Sequence, residues 1–239
     1  MHVHCSMLVV SLRACCLALA FGLWAPAPAV AQTRAEIENG NVVVVAGTTR
    51  KTLTALGRDS EAILSPDGQW VVYTRSADPP GGADDEAPAD CSALTAPDEL
   101  RQVKADGSAD QLLLRGQPGG EPSQSLCAFQ GKQFASDGRT MYFLSPAWTT
   151  SNALHAFSFE TRTARYVMPA NDFLVLSWCA GELKDALIVQ QHRYFRFGGS
   201  FDWYWLFDAA GRTDLGPVGE FDSTTAIRAE LDASGQCQG

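Results

Sequence analysis

The stretch ILSPDGQWVVY, residues 63–73, places a polar turn inside an apolar run. Proline presets φ for a turn, the aspartate side chain accepts hydrogen bonds from nearby backbone amides, and glycine adopts positive φ without strain. A second copy, QFASDGRTMYF at residues 133–143, lacks the proline, and a third copy at residues 177–189 is degenerate. The repetition predicts a structural unit that recurs along the chain, with the turn residues Pro66, Asp67, Gly68, Asp137 and Gly138.

The runs that follow these turns have no polar face. WVVY at residues 70–73, MYFL at residues 141–144 and ALIV at residues 186–189 are apolar or aromatic at every position. A strand with one wet face alternates between apolar and polar residues, and these runs do not. We therefore expect strands that are buried on both faces.

A second pair of strands follows each copy, at residues 99–114, 153–168 and 203–218, and each pair contains a polar turn. The unit is then four antiparallel strands in about 40–50 residues, which is the blade of a β-propeller. Blades pack face to face, and this arrangement explains why the inner strands are apolar on both sides. The predicted fold class is all-β.

The motif at residues 63–73 resembles the WD40-like repeat of TolB-type β-propellers, which reads roughly apolar-x-Ser-Pro-Asp-Gly-x-x-apolar-apolar-aromatic. The resemblance covers about residues 60–220. It implies a propeller that serves as a protein-interaction scaffold in the periplasm. TolB propellers have more blades than residues 32–239 can supply, so none of the family's binding residues is transferred to this chain.

The two ends of the repeat region suggest how a ring closes. NVVVVAGTTRKTLTAL at residues 41–56 has the pattern of an outer hairpin, and AIRAELDASGQCQ at residues 226–238 resembles the start of a blade. Joined together, they complete a blade and hide sheet edges that otherwise invite aggregation. We expect about four four-stranded blades closed by the N- and C-terminal strands. An incomplete piece of a larger propeller is the alternative.

Residues 1–31 have the features of a signal peptide: Arg13, an apolar run, and Ala29-Val30-Ala31 as a cleavage site. The alternative, a membrane anchor, is disfavoured because the run is shorter than the roughly 20 residues that a spanning helix needs. Residues 32–239 then form a single periplasmic or secreted domain with no membrane span. Its net charge falls from −9 to −10, since only Arg13 is lost, and an acidic chain repels nucleic acid.

Three of the seven cysteines belong to the predicted signal peptide, and Cys91, Cys127, Cys179 and Cys237 remain. An even number in an exported chain predicts two disulfides. Zinc binding is disfavoured because the chain has no C-x-x-C pair and residues 32–239 hold two histidines. Three connectivities are possible. Cys91–Cys127 with Cys179–Cys237 is favoured because it ties down a long insertion and the C-terminal tail.

That insertion, residues 76–99, holds seven acidic residues and neither Lys nor Arg. This composition indicates a solvated loop inside the first repeat. A calcium loop is the competing interpretation, but the acidic residues do not follow the D-x-[DN]-x-[DN]-G spacing.

QHRYFRFGGSFDWYWLF, residues 191–207, concentrates nine aromatic residues, counting His192. Gly198 and Gly199 predict a hairpin turn. Its aromatic residues fall on both parities of the hairpin, so we expect some to pack between blades and others to project beyond the sheet. Exposed aromatic residues beside arginines have the composition of an interface hot spot. The candidate binding residues are Arg193, Tyr194, Arg196, Phe197, Asp202, Trp203 and Trp205.

No residue set indicates a reaction, a cofactor or a metal site. The favoured function is a non-catalytic module that binds a protein, with a periplasmic or envelope partner. The alternatives are a propeller hydrolase or lactonase, a glycan-binding module, and an inhibitor of one specific partner. For the enzyme alternative, Asp172, Asp202 and Asp222 are the carboxylates that the repeats could bring to one rim.

Overall fold

The computed structural model describes residues 33–76, 98–149 and 151–238. These residues form fifteen strands and one α-helix, α1 (Thr224–Ser234). The strands are β1 (Arg34–Glu38), β2 (Asn41–Ala46), β3 (Thr49–Thr52), β4 (Asp59–Leu64), β5 (Trp70–Arg75), β6 (Glu99–Lys104), β7 (Gln111–Arg115), β8 (Gln130–Phe134), β9 (Thr140–Trp148), β10 (Ser151–Ser158), β11 (Thr163–Ala170), β12 (Asp172–Val175), β13 (Leu187–Tyr194), β14 (Ser200–Phe207) and β15 (Asp214–Gly219).

The strands form four consecutive antiparallel sheets, each built from neighbours in sequence. Sheet 1 is β1–β3, sheet 2 is β4–β7, sheet 3 is β8–β11 and sheet 4 is β12–β15. The predicted blade pattern is confirmed in sheets 2 to 4, each of which has four strands, whereas sheet 1 has three strands among the described residues. The second strands of sheets 2 and 3 are buried on both faces, as their uniform apolar sequence predicts.

Apolar side chains fill the space between successive sheets. Val42 and Tyr73 pack between sheets 1 and 2, and Val72 and Phe143 pack between sheets 2 and 3. Sheets 3 and 4 bury a larger cluster that includes Leu154, Trp205 and Phe207. The sheets therefore stack face to face in chain order, which is the packing of propeller blades.

The two repeat turns are built alike. Asp67 accepts a hydrogen bond from the Gln69 amide at 3.0 Å, and Asp137 accepts one from the Arg139 amide at 2.8 Å. Gly68 and Gly138 follow with φ of 68° and 67°, a region that L side chains rarely adopt. Pro66 belongs to the first turn, and its ring approaches Gly138 of the second.

The expectation that the C-terminal residues add a strand to the first blade is wrong. Residues 224–234 form α1, which Ser223 caps by accepting a hydrogen bond from the Ala226 amide at 3.3 Å. Gly235 ends the helix in the left-handed conformation. The sheets are therefore not closed by strands from both ends, and α1 packs instead on the face of sheet 4 opposite sheet 3. There Ile227 is buried against Leu174 and Ile188.

A disulfide joins Cys179, which follows β12, to Cys237, which follows α1. This pairing confirms one of the two predicted disulfides. The second predicted bond involves Cys91, which lies outside the described residues, and so does most of the acidic insertion at residues 76–99. The ends of that insertion meet where the Ser76 hydroxyl donates to Asp98 at 2.9 Å.

Within residues 33–76, 98–149 and 151–238, no helix combines the length and apolar character needed to cross a membrane.

Candidate functional site

The hairpin of β13 and β14 extends past the ends of both neighbouring strands in sheet 4. β12 pairs only with residues 187–190 of β13, and β15 pairs only with residues 204–207 of β14. Residues 191–203 therefore form a two-stranded ribbon beyond the sheet, as the sequence predicts. Gly198 and Gly199 turn the ribbon with φ of 104° and 86°, and the Phe195 amide donates to the Gly199 carbonyl at 3.1 Å.

One face of this ribbon carries a continuous row of aromatic rings. Trp205 lies in the core between sheets 3 and 4, and the centroid of Trp203 is 6.4 Å from it toward the tip. Phe201 continues the row at 5.2 Å from Trp203, and Phe195, the residue that follows β13, lies 5.4 Å from Phe201. These spacings suit edge-to-face and tilted aromatic pairs. The row connects the apolar core to the exposed tip.

Arg193 is fixed beside this row. Its guanidinium lies 3.7 Å from the Trp205 ring centroid, and it donates to Gln191 at 2.7 and 2.9 Å. It also donates to Asp214 at 2.7 Å. Burial alone would raise the pKa of Asp214, but the hydrogen bond and charge of Arg193, with a backbone amide, hold it below its usual value. Arg193 therefore braces the base of the ribbon rather than presenting a free cation.

The opposite face and the tip are open to solvent. His192 Nδ1 lies 2.8 Å from an Asp202 carboxylate oxygen, and the His192 and Tyr194 rings meet at 5.0 Å. Tyr194 is 84% exposed and Phe197 is 100% exposed. Arg196, between them, is also exposed. A fully exposed phenylalanine beside a mostly exposed tyrosine is an unusual surface for a monomeric protein.

The seven candidate residues thus separate into two groups. Tyr194, Arg196 and Phe197 lie at the exposed tip, together with Phe195 and Phe201, which the candidate set left out. The others are engaged in or near the base: Arg193 in hydrogen bonds, Asp202 with His192, Trp203 partly buried and Trp205 buried. Strand alternation places Phe201, Trp203 and Trp205 on one face of the ribbon, but it does not separate the exposed tip from the buried base, which depends on where β12 and β15 stop pairing.

A second concave site lies where the first strands of sheets 2, 3 and 4 converge with α1. This axial cavity, of about 530 Å³, is lined by residues of β4, β8, β12 and the first turns of α1. Gln133 spans two of these strands, since its amide donates to the Phe173 carbonyl at 2.8 Å and accepts from the Val175 amide at 2.9 Å. Sequence reasoning missed this cavity because its walls come from segments more than 150 residues apart.

Lys132 lies in the wall of the axial cavity with its side chain fully buried. Its ammonium group donates to the Phe129 carbonyl at 2.6 Å, to Thr74 at 2.8 Å and to Glu61 at 3.1 Å. Burial lowers the pKa of Lys132, and the nearby Glu61 carboxylate opposes that shift. These bonds tie sheet 3 to sheet 2.

Two of the three carboxylates considered for catalysis make side-chain contacts within sheet 4, and the third, Asp222, is exposed. Asp172 accepts a hydrogen bond from the Tyr204 hydroxyl at 2.9 Å, and Asp202 is beside His192. Burial, the largest influence, and that hydrogen bond raise the pKa of Tyr204. In the described part of the chain, no three His, Cys, Asp or Glu side chains are grouped to hold a metal ion.

No family model matches the sequence, and no curated protein matches it. Solved structures do resemble the fold. TolB from Acinetobacter baumannii has a TM-score of 0.48 and 11% identity over 80% of this chain and 41% of its own. An oligogalacturonate lyase in complex with manganese has a TM-score of 0.50 and 12% identity over 77% of this chain and 43% of its own. The β-propeller domain of the Trilobed protease from Pyrococcus furiosus has a TM-score of 0.44 and 10% identity over 77% and 49%.

The chain has a β-propeller fold. Its consecutive face-packed sheets carry this conclusion. At 10–12% identity the likeness concerns the fold alone. The chain spans less than half the length of these three proteins, and its described sheets form an incomplete propeller rather than a closed ring.

Proposed function

We propose that this protein is a non-catalytic, exported binding module that recognises a protein partner through the tip of the β13–β14 hairpin. The observation that carries the proposal is the exposure of Tyr194 and Phe197 on a ribbon that extends beyond its sheet. Aromatic side chains bury a large area at low entropic cost and dominate the energetics of interfaces. The aromatic row and Arg193 support the ribbon from below, so its tip is held in place before a partner binds.

Site-specific photocrosslinking tests this proposal. The photoreactive residue p-benzoylphenylalanine, placed at position 197, is expected to trap one protein from the envelope fraction of the source cells. The same residue placed at Leu215, which is 52% exposed in β15 of the same sheet, is the matched control. Equal trapping at both positions, or trapping of glycan alone at position 197, contradicts the proposal.

The captured partner then permits a quantitative test. Phe197→Ala is expected to weaken its binding by about 2 kcal/mol, or about 30-fold, as for a hot-spot aromatic residue. Leu215→Ala is expected to leave the affinity within about twofold. An unchanged affinity in the Phe197 variant would remove the hairpin from the interface.

Export is tested on the purified protein itself. We expect it to begin at Gln32 and to contain two disulfides, because disulfides persist in oxidising compartments. The Cys179–Cys237 bond supports this expectation. Intact mass before and after reduction should differ by four hydrogens, and free thiols on all four cysteines would contradict export.

Metal analysis distinguishes the enzyme alternative from the binding module. Elemental analysis of the purified protein, before and after treatment with a chelator, is expected to find no stoichiometric metal ion. A bound metal whose removal abolishes hydrolysis of a lactone or glycan substrate would favour the enzyme over the binding module.

A further inference from the structure

The axial cavity differs from the rest of the protein in charge. The chain as a whole carries a net charge of −9, yet none of the described residues that line this cavity is an aspartate or a glutamate. Two of the lining residues, Lys132 and Arg228, are basic. An opening of this size falls in the range of small-molecule sites in proteins, about 300–1,000 Å³.

We infer that the axial cavity binds an organic anion: a flat apolar body that carries one carboxylate, phosphate or sulfate group. This inference is independent of the hairpin proposal, because the cavity shares no residue with residues 191–203.

Arg228 supplies the recognition group for the anion. Its guanidinium carbon lies 4.1 Å from the ring centroid of Trp178, and its Nε is 4.0 Å from Asp232, beyond hydrogen-bonding distance. No described residue accepts a hydrogen bond from this guanidinium. Its donors are therefore available, and a guanidinium matches the geometry of a carboxylate or phosphate with two parallel hydrogen bonds.

Trp178 holds the guanidinium in place and offers an aromatic wall. Its indole Nε1 donates to Asp232 at 3.1 Å, so Asp232 orients the ring while the ring supports Arg228. Both Trp178 and Arg228 line the cavity. A stacked arginine loses less side-chain entropy on binding than a free one, because its orientation is already fixed.

The body of the ligand would meet apolar side chains from three sheets. Ile63, Phe134 and Leu174 come from β4, β8 and β12, the first strands of sheets 2, 3 and 4. Lys132 lies behind this wall, but its charge is paired with Glu61 and its donors are used by Phe129, Thr74 and Glu61, so the anion would be recognised by Arg228. The cavity therefore combines an apolar floor with a guanidinium that lies 4.0 Å from Asp232 and donates no hydrogen bond to any described residue.

The helix that supplies Arg228 is anchored to sheet 4. The Cys179–Cys237 disulfide ties the third residue after α1 to the residue beside Trp178. The Ala180 amide also donates to the Cys237 carbonyl at 3.3 Å. α1 is thus a fixed wall of the site, and the anion group would sit near its first turns, where the helix dipole favours negative charge.

Titration with 2-naphthoate tests the inference, with 2-naphthamide as the uncharged probe of the same shape. The indole N–H resonance of Trp178, assigned through Trp178→Phe, is followed by NMR in the oxidised protein. We expect naphthoate to shift this resonance and to bind at least tenfold more tightly than naphthamide. Equal affinities, or a Trp178 resonance that does not move, would overturn the inference.

Variants of Arg228 make the test specific. Arg228→Gln is expected to weaken naphthoate binding about tenfold and to leave naphthamide binding unchanged, while Arg228→Lys retains part of the naphthoate affinity. Arg212→Gln, at an exposed arginine in the turn between β14 and β15, is the matched control. Urea unfolding of each variant verifies the fold. Full naphthoate affinity in a folded Arg228→Gln protein would assign the anion to another site.

Discussion

In sheets 3 and 4, the second and third strands form a hairpin that contains one histidine. The two histidines lie in opposite environments. His155, on β10, is 2% exposed, and its ring stacks on Phe143 at 5.4 Å. His192, on β13, is exposed and lies beside Asp202. β10 is paired with β9 over residues 151–158 and with β11 over residues 152–158, whereas β13 loses its β12 partner after residue 190. A hairpin is buried in the core only where strands on both sides extend beside it. The apolar character of its own sequence does not decide this.

The surroundings of the two sheets differ as well. Sheet 3 is flanked by a sheet on each face, and sheet 4 has a sheet on one face and α1 on the other. Sheet 3 therefore receives its stability from repeat packing. Sheet 4 depends on a helix and a disulfide for its second face.

The largest loss of stability is expected from a substitution at the base of the projecting hairpin, rather than at its tip. Trp205→Ala should lower the free energy of unfolding by about 3–5 kcal/mol, because it removes a ring that is 8% exposed in the core between sheets 3 and 4. Urea unfolding followed by circular dichroism measures the loss. A change below 1 kcal/mol would mean that the base of this hairpin does not pack as the core of sheet 3 does.

The next effect tests the covalent support that sheet 4 has on its outer face. Replacing both Cys179 and Cys237 with alanine should cost about 2–4 kcal/mol, because the bond closes a loop with a sequence separation of 58 residues in the unfolded chain. Comparing wild type and the double variant by thermal unfolding, with and without reductant, measures this cost. Reductant that destabilises the double variant as much as the wild type would shift the effect to other cysteines.

The buried histidine should make sheet 3 sensitive to acid. Burial lowers the pKa of His155 to about 4 from the 6.5 of an exposed histidine, so the unfolded state binds more protons between these values. Stability should therefore rise with pH across this window, by up to about 1.4 kcal/mol per pH unit and about 3 kcal/mol in all. Unfolding free energies measured at several pH values should show this slope.

One variant isolates the buried histidine. His155→Phe should remove that part of the pH dependence which lies between pH 4 and 6.5. If the variant keeps the same slope, other groups are responsible for the acid sensitivity.

The smallest stability effect is expected at the tip. Phe197→Ala removes a side chain that is 100% exposed, so the free energy of unfolding should change by no more than about 0.5 kcal/mol. A loss of several kcal/mol would show that Phe197 packs against the protein. It would also attribute any loss of partner binding to unfolding.

Much of the fold was predictable from local sequence. The Asp-Gly turns, the uniformly apolar strands after them and the polar turns of the outer hairpins identify sheets 2 to 4, because each signal depends on residues adjacent in the chain. The helix α1 also had local signals that the closure hypothesis overlooked. Ser223 is a favourable N-cap, Ile227 and Leu231 are four residues apart on one helical face, and Gly235 suits a C-cap.

The sequence by itself determined the repeat and the aromatic hairpin, since local turn chemistry and composition specify them. It favoured the Cys179–Cys237 pairing among three connectivities, and the structure contains that bond. Only the tertiary structure decided which aromatic residues are exposed, because exposure depends on where β12 and β15 stop pairing with the hairpin. The axial cavity also exists only in the tertiary structure. Arg228 and Ile63 are far apart in sequence, and they line one cavity only because the sheets converge and a disulfide-anchored helix packs where they meet.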